Sequence, residues 1–98
     1  MATFVLLSKV SAEGARRVKS LAQMDEEFQR QLEERFPEVK RIASYALLGA
    51  YDFLHIFEAP DSNTAAKVAL LANSFGVSTT QTMTAIPFEE FREILREI

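Results

Sequence analysis

The chain has 98 residues, of which 48% are apolar and 26% are charged, as is ordinary for a folded globular protein. Its net charge of −3 argues against a nucleic-acid surface, which needs clustered lysine and arginine. The absence of cysteine excludes disulfides, thiolate nucleophiles and cysteine-bound metals, and no segment reaches the roughly 20 apolar residues of a membrane span. We therefore expect one domain over residues 1–98, in a cytoplasmic protein that does not interact with membranes.

The first predicted elements are a strand and a helix. Residues 3–10 are dense in Phe, Val and Leu, and both faces of this strand carry large apolar groups, which is typical of a strand covered on both sides. Ser11 can cap the helix that follows, and Phe36-Pro37 ends it, because a residue before proline is pushed out of the helical region. One continuous helix is expected between them, with Ala15 and Val18 on its buried stripe.

The next predicted element is a β-hairpin. Residues 39–48 and 51–58 are rich in branched and aromatic side chains, and Gly49 between them supplies the backbone freedom of a tight turn. A two-residue loop at Gly49-Ala50 fixes the register of the two strands. The cross-strand pairs it predicts include Ile42 with Phe57, Ser44 with His55, Tyr45 with Leu54, and Arg41 with Glu58.

The second half of the chain predicts a helix, a strand and a terminal helix. Asp61 or Ser62 can cap an alanine-rich helix over residues 64–75, which Gly76 ends. A threonine-rich strand over residues 77–86 follows, with the composition of a sheet edge or a polar cavity wall. After Pro87, four apolar residues recur at helical spacing and predict a helix that docks on an apolar surface. These residues are Phe88, Phe91, Leu95 and Ile98.

The order βαββαβ with a terminal helix predicts an α+β ferredoxin-like fold, in which two helices cover one face of a four-stranded antiparallel sheet. The first three strands, however, are apolar on both faces. Leaving the second face in water would forgo roughly 1.5–3 kcal/mol for each large side chain. We therefore expect two sheets to pair face to face in a twofold homodimer.

Several segments together resemble the GYD domain family. They are the turn Gly49-Ala50-Tyr51-Asp52-Phe53, the segment Glu58-Ala59-Pro60-Asp61, the alanine-rich helix, and the threonine-rich strand that leads into Ile86-Pro87-Phe88-Glu89-Glu90-Phe91. The resemblance covers nearly the whole chain and implies a dimeric α/β-barrel built on the ferredoxin-like fold, but it implies little about function. Ala50 separates the glycine from the tyrosine of the signature, and His55 lies outside it.

Five side chains near the turn are candidates for a ligand site. Tyr51 and Asp52 could act as general acid and base, but neighbours on a strand point to opposite faces, so structural roles in the turn are favoured. His55 is the only histidine and could polarise a ligand or bind haem, although a packed interior histidine is the commoner case. The candidate residues are Ser44, Tyr45, Tyr51, Asp52 and His55. No cofactor is predicted, and a metal is not expected because one histidine and no cysteine leave only carboxylates as ligands.

Three functions remain open at this stage. The first is a non-enzymatic homodimer that binds a small apolar ligand or a protein partner. The second is a small cofactorless monooxygenase or isomerase that uses Tyr51, Asp52 or His55, for which a cavity holding His55 and a buried tyrosine hydroxyl would be evidence. The third is a structural subunit that assembles into a higher homo-oligomer through its terminal helix.

Overall fold

The computed structural model describes all residues from 1 to 98. It contains four strands, four α-helices and one short 3-10 turn at Val18–Ser20. In chain order they are β1 (Ala2–Val10), α1 (Ala12–Arg16), the 3-10 turn, α2 (Leu21–Arg35), β2 (Lys40–Ala46), β3 (Phe53–Ala59), α3 (Ser62–Asn73), β4 (Ser78–Ala85) and α4 (Phe88–Arg96).

The four strands form one antiparallel sheet in the order β2-β3-β1-β4. The two strands that begin the two βα units, β1 and β3, therefore occupy the centre, and the helices that follow them return across the same side. The predicted ferredoxin-like α+β fold is confirmed.

The helix face of the sheet, which α2 and α3 cover, carries the core of the protein. Phe4 and Leu6 of β1 are buried here together with Phe57 of β3, and the rings of Phe4 and Phe57 stack with centroids 5.6 Å apart. Ala59 of β3 also belongs to the buried cluster, and the helices contribute its other members, which are Phe28, Leu32, Ala65, Val68 and Leu71. The alanine-rich stripe of α3 lets this helix lie close to the strands.

The outer face of the sheet, which lies opposite the helices, has no layer of the chain over it. Val5 and Leu7 alternate with the core residues of β1 and are only half-buried, as are their cross-strand partners Leu54 and Ile56. Towards the sheet edges, Met83 is 43% exposed and Tyr45 is 57% exposed. The expected apolar character of both faces of the sheet is therefore present.

The predicted continuous helix after Ser11 is wrong, because the chain changes direction at Arg17 (φ −113°). The first short helix is held against the sheet, since the Ser11 N–H donates to the Val77 carbonyl at 2.9 Å and Gly14 is buried beside that carbonyl. α2 has to leave this anchor to cross the strands, and a 3-10 turn redirects it. As a result Ala15 and Val18 are exposed, and the buried stripe begins only in α2.

The predicted hairpin register is correct near the turn and wrong at its open end. Ser44 pairs with His55 and Tyr45 with Leu54, but Arg41 pairs with Phe57 because the register shifts between Arg41 and Ala43. Ile42 is the extra residue of a β-bulge, and its side chain is exposed. The regular strands also stop earlier than predicted, at Ala46 and Phe53, although the Leu47 N–H still donates to the Asp52 carbonyl at 2.7 Å.

The second half of the chain follows its prediction closely. Asp61 caps α3 by accepting a hydrogen bond from the Thr64 backbone N–H at 2.8 Å, and this bond lowers the pKa of the Asp61 carboxyl. Gly76 follows the helix with a φ of 73°, a conformation that glycine adopts without strain. The terminal helix α4 forms where it is predicted, but every one of its residues is exposed. No helix of the chain combines the length and apolar character that crossing a bilayer requires.

Candidate functional site

A cavity of about 410 Å³ lies between the helix face of the sheet and helices α2 and α3. Its walls are mainly apolar and include the three aromatic rings of Phe28, Phe53 and Phe75. The strands contribute Ser8 and His55, which are close together because Leu6 pairs with His55 and Ser8 pairs with Phe53. Largely apolar cavities of this size with a few placed polar groups are typical of small-molecule sites.

A polar cluster occupies one wall of this cavity. The Arg41 guanidinium forms an ion pair with Asp25 of α2, with Nη2 to Oδ1 at 2.8 Å, and its Nη1 donates to Gln29 Oε1 at 3.0 Å. Its Nη2 also lies 3.2 Å from Ser44 Oγ and 3.1 Å from His55 Nδ1. The guanidinium carbon is 5.5 Å from the centre of the Phe28 ring, within reach of a cation–π interaction. Helix and sheet are therefore joined across the cavity through Arg41.

The β-bulge at Ile42 is what brings Arg41 into the cavity. In the register without a bulge, Arg41 would lie opposite Glu58 on the outer face of the sheet. The extra residue moves it opposite Phe57, on the helix face, where its side chain is only 15% exposed. Bulges commonly redirect a side chain in this way. Sequence reasoning missed Arg41 and Asp25 as members of the site, because the sequence carries no signal for the bulge.

The contacts of His55 determine its tautomer. Arginine is always protonated, so its N–H must donate to His55 Nδ1, and the Ser44 hydroxyl also lies 2.8 Å from that nitrogen. Nδ1 is therefore an acceptor, and the proton of the neutral ring is on Nε2. Burial lowers the pKa of His55, and the positive charge of Arg41 lowers it further, against the opposing influence of Asp25. The imidazole is therefore neutral near pH 7 and presents an N–H donor at Nε2.

The floor of the cavity carries hydroxyl groups beside His55. Ser8 on the central strand is only 5% exposed, and it pairs with Thr80 of β4, which also lines the cavity. No hydrogen bond within the chain engages the Ser8 hydroxyl, in contrast to Ser44. Sequence reasoning missed Ser8, although its place as a polar residue on the core face of a buried strand was visible.

The five predicted site residues do not come together. Ser44, Tyr45 and His55 border the cavity, although most of the Tyr45 side chain is exposed. Tyr51 and Asp52 are not among the lining residues. Regular alternation along the strand predicts Tyr51 on the same face as His55. This prediction is wrong, because the strand begins only at Phe53 and the Tyr51 hydroxyl donates to Gln81 Oε1 at 2.6 Å, beside the outer face.

Asp52 has a structural position at the end of β1. Its Oδ2 accepts a hydrogen bond from the Val10 backbone N–H at 2.7 Å, and its own N–H donates to the Ser8 carbonyl at 2.8 Å. The side chain thus continues the pairing of β1 with β3 beyond the last regular residue. The structural role that the sequence favours for Asp52 is a hydrogen bond from backbone N–H, and this bond ties the turn to β1.

His55 does not present a free base to the cavity. His55 Nδ1 already accepts hydrogen bonds and Nε2 carries the proton, so this tautomer can donate a hydrogen bond but has no free lone pair to accept a proton. Neither tyrosine places a buried hydroxyl beside it, since Tyr45 is 57% exposed and the Tyr51 hydroxyl donates to Gln81. No group of three or more His, Asp or Glu side chains is close enough to hold a metal ion. His55 is placed to donate a hydrogen bond from Nε2 to a molecule in the cavity.

The segments that resemble the GYD family all belong to this one fold. They include the turn at Gly49, the cap at Asp61 and the threonine-rich strand β4. A family model, described as "GYD domain", matches residues 4–95. This chain belongs to the GYD family. The family assignment agrees with the resemblance that the turn and its flanking segments indicate.

A curated relative of this GYD protein is found in Thermus thermophilus. It is 38% identical over 87 residues, which is 89% of this chain and 90% of the relative, and its name is "Glutamine synthetase and cystathionine beta-lyase binding protein". The name describes a protein that binds enzymes.

Three solved structures share the fold of the GYD protein. The structure of MtbAldR superposes with a TM-score of 0.62 at 14% identity over 88% of this chain, which spans about half (53%) of that longer chain. FFRP-DM1 has a TM-score of 0.57 at 24% identity over 88% of this chain and 100% of its own. Hypothetical protein PHS023 from Pyrococcus horikoshii has a TM-score of 0.53 at 24% identity, with 89% and 92% of the two chains covered. At these identities the likeness concerns the fold alone.

Proposed function

We propose that this GYD protein is a homodimeric, cytoplasmic module that binds another protein and does not catalyse a reaction. The observation that carries the proposal is α4, an amphipathic helix whose apolar side chains are all exposed. Phe88, Phe91 and Leu95 follow one another at spacings of three and four residues, Ile94 lies next to Leu95, and the remaining positions of α4 are acidic or basic. Helices with this spacing of apolar anchors bind in hydrophobic grooves of partner proteins.

The homodimer accounts for the second uncovered surface, the outer face of the sheet. Its half-buried and exposed apolar residues extend across all four strands, and a twofold axis would cover two such faces at once. A dimeric α/β-barrel of this kind leaves α4 at the end of the edge strand β4, separated from it only by Ile86 and Pro87. The apolar stripe of α4 then remains available for a different partner.

Light scattering after size exclusion tests the dimer. We expect the wild-type chain to have twice the mass of one chain, and Met83→Glu, which adds a charge to the outer face, to have the mass of a monomer. Val18→Glu is the matched control, since Val18 is exposed outside this face. A wild-type monomer would overturn the dimer, and a larger assembly that Phe91→Glu reduces to a dimer would favour the structural-subunit alternative.

The relative's name suggests the kind of partner. Glutamine synthetase and cystathionine beta-lyase are the enzymes that the name of the Thermus protein says it binds. We propose the corresponding enzymes of the organism that makes this chain as partners, with α4 as the element that contacts them.

Calorimetric titration of each purified enzyme with this protein tests the partner. We expect saturable binding to at least one enzyme, and a loss of at least about tenfold in affinity for Phe91→Glu/Leu95→Glu, because a charge in an apolar groove is left unpaired. Leu70→Glu is the control, since Leu70 is an exposed leucine on α3. No binding of the wild-type protein to either enzyme would overturn this assignment.

The cavity favours a second candidate function, the binding of a small ligand between the sheet and the helices. Its volume of about 410 Å³ and its aromatic walls fit a small organic molecule. The two functions use different surfaces, because no residue of α4 lines the cavity. A ligand could therefore accompany the protein partner without competing for the same side chains.

A further inference from the structure

The charge of the cavity selects against charged ligands. Arg41 is the only cationic side chain among the lining residues, and Asp25 is the only anionic one. The two side chains form an ion pair. Gln29, Ser44 and His55 accept hydrogen bonds from the N–H groups of Nη1 and Nη2 of Arg41. A ligand carboxylate would have to displace Asp25 to reach Arg41, and a ligand amine would find Asp25 already paired with Arg41 and half in solvent, with 52% of its side chain exposed. The burial of an unpaired charge is costly.

The hydrogen-bonding groups that remain for a ligand are few and specific. The contacts at Nδ1 leave the Nε2–H of His55 as a donor, and nothing in the chain accepts its proton. The Ser8 hydroxyl is also available. Ser8 lies two residues after Leu6, which is the cross-strand partner of His55, and Thr80 of β4 pairs with Ser8 on the other side of β1. These groups can satisfy a carbonyl or ether oxygen at one end of a molecule.

The remaining wall is apolar and aromatic. Phe28 and Phe75 meet edge to face with centroids 6.3 Å apart at the helix side, and Phe53 lies on the strand side. Leu21 and Met24 of α2 complete this wall. Flat aromatic molecules pack well between such rings.

From these observations we infer that the cavity binds an uncharged, mainly apolar aromatic molecule that places a carbonyl oxygen against His55 Nε2 and Ser8. The inference rests on the second function proposed above and names its ligand class. It does not depend on the enzyme partner or on α4.

The test uses two fluorescent probes of similar size. Prodan is a neutral naphthalene with a ketone, and 6-dimethylamino-2-naphthoate has a carboxylate in place of that ketone. We expect Prodan to bind one site per chain with a blue-shifted emission, and the carboxylate to bind at least about tenfold more weakly, because its charge has no free partner in the cavity.

Two variants locate the binding site. Ala72→Phe fills the cavity from α3 and should abolish Prodan binding. His55→Phe keeps an aromatic ring but removes the Nε2 donor, together with the Nδ1 acceptor of Arg41, and should weaken binding about three- to tenfold. Tyr51→Phe is the control, because it removes a hydroxyl outside the cavity and should leave the affinity unchanged. Circular dichroism melts check that each variant is folded, and Ser8→Ala replaces His55→Phe if the latter is not.

The outcomes separate the ligand class from the function itself. If the two probes bind with equal affinity and Ala72→Phe abolishes the binding of both, the cavity is a ligand site, but the inference that its ligand is uncharged is wrong. If Ala72→Phe leaves Prodan binding unchanged, or if neither probe binds the wild-type protein, the cavity is not the binding site and the second function falls with the inference.

Discussion

At the scale of single residues, the close approach of Gly14 to its neighbours shapes the start of the helical layer. A β-carbon at this position would lie 2.1 Å from the Val77 carbonyl oxygen and 2.7 Å from a methyl group of Val10. Only a residue without a side chain allows α1 to pack against the ends of β1 and β4 in this way. The Ser11 N–H donates to the same Val77 carbonyl at 2.9 Å, which holds this short helix at that end of the sheet.

Gly14→Ala should therefore destabilise the protein, although alanine is the better helix former. We expect a loss of about 1–3 kcal/mol in the free energy of unfolding, because the Val77 backbone has to move. Urea melts measure this loss, with Glu13→Ala as the exposed neighbouring control that should change stability by less than about 0.5 kcal/mol. Equal stability of Gly14→Ala and the wild type would show that the contact is not rigid.

The lowered pKa of His55 predicts a pH dependence of stability. The unfolded chain takes up the proton at the ordinary value of 6.5, and the folded chain only at lower pH. Between these two values the unfolded state binds more protons, so stability rises with pH. The stabilisation is complete above about pH 6.5 and is lost as the pH falls through the folded-state pKa.

Denaturant melts between pH 7.5 and pH 5.5 check this prediction. The wild-type protein should lose stability towards the acid end, and His55→Phe should lose less, because His55 is the only histidine of the chain. Parallel pH profiles of the two proteins would show that His55 is not buried in its neutral form.

At the scale of elements, short irregular segments rather than the regular strands decide the site. The bulge at Ile42 turns Arg41 onto the helix face, and the turn after Ala46 extends the β1–β3 pairing through the Asp52 side chain. Both features lie in the hairpin. The hairpin therefore holds the cavity wall and the end of the central strand in place together.

Asp52→Ala tests the turn as a structural element. Removal of the carboxylate leaves the half-buried Val10 N–H without its acceptor, and we expect a loss of about 1–3 kcal/mol in unfolding free energy. Asp52→Asn keeps an acceptor oxygen and should lose less. Equal effects of the two substitutions in thermal melts would mean that the charge, and not the hydrogen bond, matters at this position.

At the scale of the whole molecule, the chain leaves two apolar surfaces uncovered. The helices cover one face of the sheet, and α4 extends from the last strand with every residue exposed. The longest dimension of the molecule is 50 Å against 18 Å for the shortest. The chain therefore builds its own core on the helix face only, and the outer face and α4 stay exposed.

Removal of α4 should therefore leave the fold intact. We expect residues 1–86 to unfold with a free energy within about 0.5 kcal/mol of the whole chain at equal concentration, because no residue of α4 is buried. Binding to the enzyme partner should be lost in the same sample. A loss of several kcal/mol would instead show that α4 packs on a second copy of the chain.

Much of this protein follows from local patterns in its sequence. The strand and helix order, the cap at Asp61, the stop at Gly76 and the amphipathic α4 each depend on residues close together in the chain, and local propensity and periodicity are sufficient to predict them. The pairing of Ser44 with His55 follows too, because the short turn sets the register nearby.

The tertiary structure decided what the cavity contains. Arg41 reaches His55 only because of a bulge. Asp25 and Gln29 contact Arg41 from a helix that lies 12 to 16 residues earlier in the chain. Tyr51 lies outside the site because the regular strand begins only at Phe53. The break between α1 and α2 likewise depends on a distant carbonyl at Val77. Such contacts join residues that are far apart in the chain, and no local pattern encodes them.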